Sequence, residues 1–506
     1  MQCLQSVQKA IAGMEAEIFV VDNASADDSV TILKERFPWV KLIANAENVG
    51  FSYANNQAVK LAKGEYVLLL NPDTLVEEDT FVKCMDFMNK TPDAGALGVK
   101  MINGNGEFLP ESKRALPIPS VAFYKIFGLS KLFPRSKKFG SYHLTYLDND
   151  KTQAVEVLSG AFMFIRKDVL DKIGWLDETF FMYGEDIDLS YRIIQAGYKN
   201  YYLPETRIIH YKGESTKKGT INYVIVFYKA MQIFAKKHFT NKKSFLLTWI
   251  LNLAIWLRAS LAIGKRIAAT LLLPLLDILF IYGGMLLLAL YWEVQVLQYR
   301  ESHFPNTYFY FVIPCYIVIW IFSVAINKGY KKPYSTIKTN RGIILGTIAI
   351  LLIYALLPET YRFSRAVTIF GAMWTAIAMN VLRYLFHFFK LKGYQYANSQ
   401  KRRILIVGSP SEVERVAMIA QAGIQKPETI ITIEDASSDI IHHYIKENKV
   451  NELILCSKDI SIQRIISLFI ELKSSSVSCK IAPKNEQVII GSRNIQCLVP
   501  IVLAAQ

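Results

Sequence analysis

The sequence predicts an α/β domain, then an α-helical membrane region, then a second and smaller α/β domain. Three observations predict it. Charged and polar residues recur every few positions up to about Lys243, thin out until about Lys390 and return towards Gln506. Before Lys243, short apolar runs alternate with helical patterns, the order of β-α-β units around a parallel sheet. After Arg402 the same alternation resumes. The expected boundaries are residues 1–240 for the first domain, 241–266 for an interfacial helix, 267–390 for four transmembrane helices, 391–401 for a linker and 402–506 for the second domain.

Composition agrees with this division. The chain has 506 residues, a formal net charge of +15, 52% apolar residues and 20% charged ones. So apolar a chain has to bury a large surface in cores or in lipid, which excludes disorder, collagen and a small disulfide scaffold. The six cysteines lie far apart with no C-x-x-C pair, and Met1 onward does not read as a cleavable signal sequence. That pattern fits a reducing compartment, and neither a zinc knuckle nor a disulfide frame. The positive charge gathers beside the membrane region at Lys242, Lys243, Lys265, Arg266, Lys390, Lys392 and Lys401–Arg403, where it favours anionic lipid heads. No aromatic-basic platform or base-reading helix accompanies it, so nucleic acid is not an expected partner.

In the first domain Glu17–Val21 reads as a strand, Ala26–Arg36 as a helix capped by Ser25, and Val40–Ile43 as a strand. Ser52–Ala62 follows as a helix closed by Gly64, and Tyr66–Leu70 as a strand. The run YVLLL is what a strand covered on both faces looks like. Directly after each strand the chain turns polar: Asp22-Asn23-Ala24-Ser25, then Asn45 through Asn48-Val49-Gly50-Phe51, then Asn71-Pro72-Asp73-Thr74. Turn chemistry alone explains any one cluster, since these residue types make turns and cap helices. Three of them at strand carboxyl ends point instead to one crevice, the place where open parallel sheets bind ligands.

Four apolar runs match the roughly 20 residues a helix needs to cross a bilayer core: Ile267–Trp292, Thr307–Ile326, Gly342–Pro358 and Ala366–Phe389. A fifth, Ser244–Gly264, contains Asn252 and Arg258 and reads as an amphipathic helix lying in the interface. Cytoplasmic loops collect Lys and Arg. The loop between the second and third runs carries Lys328, Lys331, Lys332, Lys338 and Arg341, whereas the other two loops offset Arg300, Arg362 and Arg365 with Glu293, Glu301 and Glu359. The basic loop is therefore expected inside, and four crossings place both α/β domains in the cytoplasm.

The polar elements Asp22-Asn23-x-Ser25, Asn48-x-Gly50-Phe51 with Ala54-Asn55-Asn56, and Leu70-Asn71-Pro72-Asp73-Thr74 resemble family 2 glycosyltransferases of the GT-A fold, especially the rhamnosyltransferase-like branch. Ser159 through Lys167, Gly174-Trp175-Leu176-Asp177-Glu178-x-Phe180-Phe181, Gly184-Glu185-Asp186-Ile187-Asp188-Leu189 and His210-x-x-Gly213-x-Ser215 continue the likeness through nearly all of residues 1–240. The resemblance implies a GT-A, Rossmann-like nucleotide-sugar-binding domain of an inverting enzyme. Such an enzyme moves a sugar from a UDP- or dTDP-sugar to a lipid-linked glycan acceptor in cell-surface polysaccharide synthesis. It also implies the inner (cytoplasmic) membrane of a bacterium, with polysaccharide-assembly proteins as partners.

Sugar transfer needs a base for the attacking hydroxyl and help for the charge gathering on the departing diphosphate, which a cation held by carboxylates supplies. The resemblance implies a divalent metal, Mg or Mn, resting on Asp73, the diphosphate and His210, with Asn71 where a first aspartate would stand. It implies Asp186 as the base and Glu185 beside it, although acids opening a helix also have a purely local role in stabilising its dipole. Glu185 and Asp188, three apart, share a helix face, so either could orient neighbours or acceptor hydroxyls. The resemblance implies Asp22 at the base or ribose of the nucleotide, Asn23, Asn48, Gly50, Asn56, Asn71 and Asp188 among the substrate-binding residues, and Gly160 and Ala161 leaving room for the acceptor.

After the last span, Arg402–Gly408 reads as a strand feeding a glycine turn, with a helix from Glu412, a strand at Val450–Cys456 and a helix at Ile460–Leu472. The four spans and this part resemble the membrane and Rossmann-like portion of polyprenyl-phosphate sugar-1-phosphate transferases. Gly408-Ser409-Pro410-Ser411 is not G-x-G-x-x-G, so a regulatory or oligomerising module is expected there rather than a nucleotide site. The first strand of the GT-A family is missing ahead of Cys3-Leu4-Gln5-Ser6-Val7, and the Ile495–Gln506 tail reads unlike a finished domain edge. A catalytically impaired scaffold or regulator of polysaccharide assembly is therefore the second expectation for function.

Overall fold

The computed structural model describes residues 1–117, 121, 124, 128–211, 221–239, 245–297, 303–332, 334–358, 362–389, 402–423, 426–475, 477–484, 486–491 and 495–497. The chain divides into two compact units, Met1–Ser260 with Lys401–Gln506, and Leu261–Gln400. Both α/β parts thus belong to one unit. The expected linker and the Gly213 and Ser215 positions lie outside the described residues.

The N-terminal half of the first unit has strands β1 (Phe19–Asn23), β2 (Lys41–Asn45), β3 (Tyr66–Leu70), β4 (Thr74–Val76), β5 (Ala94–Ile102), β6 (Gln153–Val155), β7 (Phe162–Arg166) and β8 (Lys199–His210). The expected strands and helices up to Leu70 exist, with boundaries shifted by at most three residues. Ser25 does not cap the helix that follows. Its amide goes to the Asp22 carboxylate (3.0 Å), and the helix begins at Ser29.

The sheet differs from the single parallel one expected. β1 and β2 pair in parallel as a two-stranded sheet. β3 belongs to a second, mixed sheet of order β3-β7-β5-β8-β4, in which it runs antiparallel to β7. No strand among the described residues bridges β1 to β3, so each keeps an unpaired edge. β3 alternates half-buried and buried positions and is not covered on both faces, a correction to the reading of YVLLL. Unpaired ladder groups cost about 1–3 kcal/mol each only where they are buried. The half-buried Phe19, Val20 and Val21 of β1 leave that edge partly wet.

The helix Gln2–Ala10 covers the β4 side of the mixed sheet. Cys3, Val7 and Ala10 join Val76, Phe81, Cys84 and Met88 in one apolar core, and the Ser6 hydroxyl accepts the Val76 amide (3.2 Å). A second core, holding Val67, Leu69, Met163, Ile165, Leu189 and Ile193, lies under the helix Glu185–Gln195.

In the C-terminal part, β9 (Arg403–Val407), β10 (Thr429–Ile433), β11 (Glu452–Cys456), β12 (Ser478–Ala482), β13 (Val488–Gly491) and β14 (Ile495–Cys497) form one sheet of order β10-β9-β11-β12-β13-β14. The first four strands are parallel and the last two antiparallel. Ile495–Cys497, read from sequence as part of an unfinished edge, pairs with β13. The helices Pro410–Ala422 and Ile462–Glu471 follow β9 and β11. Leu75, Ile102 and Ile209 of the mixed sheet share a buried cluster with Ile465, Leu468 and Phe469 of this domain.

In the second unit four helices are long and apolar enough to cross a membrane: Ile263–Val296, Tyr308–Ile326, Thr336–Leu356 and Arg365–Phe388. The segment read as a separate interfacial helix is continuous with the first of them, in one helix Phe245–Trp292. Within the bundle the fully buried Arg383 meets Asp277 through both terminal nitrogens (3.1 and 2.9 Å), and the Tyr330 hydroxyl donates to Asp277 (2.8 Å). A charge among apolar helices persists only when paired in this way.

Candidate functional site: two carboxylates joined through the β7 turn

β3 ends at Leu70, and the turn Asn71–Asp73 leads into the edge strand β4. Thr74 pairs with His210, the last residue of β8, which sets Asp73 beside it. His210 Nε2 stands 3.2 Å from Asp73 Oδ1, within ion-pair reach but not lined up as a hydrogen bond. Asp73 Oδ1 and His210 Nδ1 are consequently buried without a hydrogen-bond partner among the described residues. Buried polar atoms are normally satisfied, which makes this unmatched carboxylate oxygen and imidazole nitrogen a candidate ligand-binding pair. Among the described residues no group of three or more His, Cys, Asp or Glu could hold a metal ion. Asp73 and His210 fit a Mg²⁺ or Mn²⁺ whose shell is completed by substrate oxygens and water, and do not suffice for one bound by protein alone.

The same turn reaches the second carboxylate through backbone. The Asn71 amide donates to the Ala161 carbonyl (3.0 Å), and the neighbouring Gly160 amide donates to Asp186 Oδ2 (3.3 Å). A Cβ on Gly160 would meet the Asp186 Cβ at 3.4 Å, in van der Waals contact. Asp186 lies in the first turn of its helix with Glu185 and Asp188, where acids suit the dipole. The turn before it places Tyr183 at φ 69° and Gly184 at φ 89°. Left-handed backbone at a residue such as Tyr183 is uncommon and costs energy.

Arg114 is the partner of the candidate base that sequence reading missed. Its guanidinium donates to Asp186 Oδ2 (2.5 Å) and to the Leu158 carbonyl (2.9 Å). Burial pulls the Arg114 pKa down, and the charge and hydrogen bond of the Asp186 carboxylate more than reverse this. The signal was weak: Arg114 lies in the Leu109–Asp150 loop, 72 residues from its partner, and no local pattern ties the two. Glu185 behaves differently. Burial, followed by the charge of Asp186, pushes its carboxyl up to about 8, and its Oε2 is buried with no bonded partner among the described residues.

The remaining candidates divide. Asn23 knits the first two polar clusters together: its Nδ2 donates to Asn48 Oδ1 (2.8 Å) and the Gly50 carbonyl (3.3 Å), and its Oδ1 accepts from Asn45 and the Val49 amide. Gly50 sits at φ 87°, with Phe181 where its Cβ would be, at 2.8 Å. Glycine is required there on both counts. The Phe51 amide then bonds the Phe181 carbonyl and the Ser52 hydroxyl the Phe180 carbonyl, so this cluster is fastened to the segment leading into Glu185. Asn56 and Asp188 do not present free groups, contrary to their reading as substrate contacts. Asn56 exchanges hydrogen bonds with Leu176 backbone and reaches Glu178. Asp188 is fully buried and held by Arg192, Lys237 and His238, which depresses its carboxyl despite burial. Both fix loops to helices.

Residues 1–174 match the family described as Glycosyl transferase family 2, and residues 132–324 match Glycosyl transferase family group 2. The N-acetylglucosaminyl-diphospho-decaprenol L-rhamnosyltransferase of Mycobacterium tuberculosis is 25% identical over 261 residues, covering 49% of this chain and 84% of that protein. The poly-β-1,6-N-acetyl-D-glucosamine synthase of Staphylococcus epidermidis is 27% identical over 195 residues, 38% of this chain and 41% of that one. A solved mannosyltransferase of Pyrobaculum calidifontis, in complex with GDP-Man and Mn²⁺, covers 53% of this chain and 69% of its own at 18% identity, with a TM-score of 0.32. The N-terminal part of this chain is a glycosyltransferase family 2 domain.

Proposed function

We propose that the chain is a membrane-anchored inverting glycosyltransferase that moves a sugar from a UDP- or dTDP-sugar to a lipid-linked glycan acceptor on the cytoplasmic side of a bacterial inner membrane. The observation that carries this reading is the backbone path from Asn71 to Ala161 and from Gly160 to Asp186, which joins the Asp73–His210 pair to the Asp186–Arg114 pair. One pair faces a departing diphosphate and the other an incoming hydroxyl.

In this reading Asp22, Asn23, Asn48 and Gly50 line the nucleoside end of the donor. Asp186 takes the proton of the acceptor hydroxyl as that oxygen bonds to the anomeric carbon. The bond from that carbon to the diphosphate breaks, and the nucleoside diphosphate leaves with the electron pair. A carboxylate offers about four lone-pair positions, and Arg114, the Gly160 amide and the Ile187 amide use three on Asp186. One remains for the hydroxyl. Glu185, protonated at neutral pH, adds no second charge beside the base. A divalent cation on Asp73 and His210 would act as a Lewis acid on the phosphate oxygens. The four apolar helices support tethering, which keeps the domain near a headgroup-level acceptor. The C-terminal likeness to sugar-1-phosphate transferases is one of element order and supports a folded module there.

The test is transfer by the full chain in lipid nanodiscs, with a panel of UDP- and dTDP-sugars and a polyprenyl-diphosphate-linked acceptor. Turnover that EDTA abolishes and Mn²⁺ restores is expected. The unpaired edges of β1 and β3 favour the scaffold reading as the alternative, and a folded chain inert towards every donor would select it.

A further inference from the structure

We infer that the C-terminal α/β domain is a brace on the cation-binding edge of the transferase sheet, and that Glu78 is its main fastening. This rests on the reading of Asp73 and His210 as cation ligands. Asp73 sits on no robust element, and His210 is the terminal residue of β8. Asp73 lies in a turn, and β4 is a three-residue strand at the sheet edge, hydrogen-bonded on one side to β8. Cation ligands need placing to within about 0.5 Å, which depends on supporting contacts.

Those contacts come from two directions. Along a strand, side chains alternate between faces. Thr74 and Val76 face the helix Gln2–Ala10, where Cys3 and Ser6 meet them. Leu75 points the other way with Ile209, and both are completely buried among Ile465, Leu468 and Phe469 of the C-terminal domain. Tyr211 packs against the same cluster, and its amide donates to the Asp73 carbonyl (2.9 Å). Ile209 and Tyr211, which flank His210, and Leu75, two residues beyond Asp73, are thus held by the C-terminal domain.

Polar fastenings repeat the pattern. Glu78, two residues beyond β4, accepts the Ile462 amide (2.6 Å) and the Gln463 amide (3.1 Å), the first amides of the helix Ile462–Glu471. These have no partner within their own helix, and a carboxylate there also meets the favourable end of the dipole. Arg207 of β8 binds Glu77 through its Nε and reaches Ser467 with its Nη2 (3.4 Å). Lys9 donates to the Ser457 carbonyl (3.0 Å), and Arg36 pairs with Glu486 (2.9 Å). One domain therefore clasps β4, β8 and the covering helix together. Its release would free Asp73 and His210 to separate.

The experiment is Mn²⁺ binding in the presence of UDP by the purified full chain, followed by loss of the free-ion electron paramagnetic resonance signal. Amide exchange at residues 74–76 and 208–211 is measured in parallel. Glu78→Ala is expected to weaken Mn²⁺ binding about 3- to 10-fold, the scale of a charge-assisted hydrogen bond, and to speed exchange at both stretches. Glu78→Asp should recover part of the loss. Arg36→Ala, a milder cut in the same interface, should act in the same direction. If Glu78→Ala and Arg36→Ala bind Mn²⁺ within twofold of the unaltered chain while Asp73→Asn loses it, the brace is wrong and the ligand reading stands. If Asp73→Asn also binds normally, the ligand reading falls and takes the brace with it.

Discussion

The two α/β parts of this protein treat the polar groups at their turns in opposite ways. In the C-terminal part the turn after β9 is closed by its own acid: Asp459 accepts both the amide and the hydroxyl of Ser409, each at 2.8 Å. Glu412 in the next helix is paired with Arg415 and Lys458. A phosphate would have to displace a carboxylate already in place. In the N-terminal part Asp73 Oδ1, His210 Nδ1 and Glu185 Oε2 are buried with their bonding capacity unspent among the described residues. A scaffold satisfies its polar groups, whereas a binding site keeps some in reserve, and natural sequences break the rule of satisfaction mainly where they function. The contrast supports the proposed chemistry in the N-terminal crevice and the proposed bracing role of the C-terminal part.

The largest way to break this contrast is at the base. Asp186→Asn should lower kcat by about 10²- to 10⁴-fold, the usual contribution of a positioned general base, while UDP binding measured by calorimetry stays within twofold. Undiminished turnover would remove Asp186 from the chemistry.

A smaller effect concerns Glu185. Its folded-state carboxyl is raised from 4.5 to about 8, so the proton it keeps contributes stability that is whole below the ordinary carboxyl range. That contribution fades as pH rises and is gone once pH has passed through about 8. Glu185→Gln cannot ionise. Its melting temperature should therefore fall less than that of the unaltered protein between about pH 5 and 8, by several degrees on the usual scale of about 2–4 °C per kcal/mol. Parallel pH profiles by scanning fluorimetry would contradict the assigned burial of charge.

The smallest effect is expected in the C-terminal crevice, where Asp459→Ala removes two hydrogen bonds in an exposed turn. It should lower the melting temperature by about 1–3 °C and leave kcat within twofold. A fall in kcat comparable to that at Asp186 would erase the distinction between the two regions.

Sequence alone determined what depends on local pattern. Hydropathy marked four helices long and apolar enough to span a membrane, because that property is carried by the run itself. Alternation placed the early strands and the strand-helix pairs after Arg402, and polar residues after Leu70 and at Gly184 marked the candidate acids. Tertiary structure decided what depends on distant residues meeting. The 44-residue gap between the Arg114 guanidinium and the Leu158 carbonyl it donates to, the antiparallel placing of β3 against β7 and the closure of Asn56 and Asp188 by internal bonds all follow from strand order and loop path. So does the joint core of Leu75 and Ile209 with Phe469. The physical reason is that periodicity records which way a side chain faces, and carries no record of what stands opposite it.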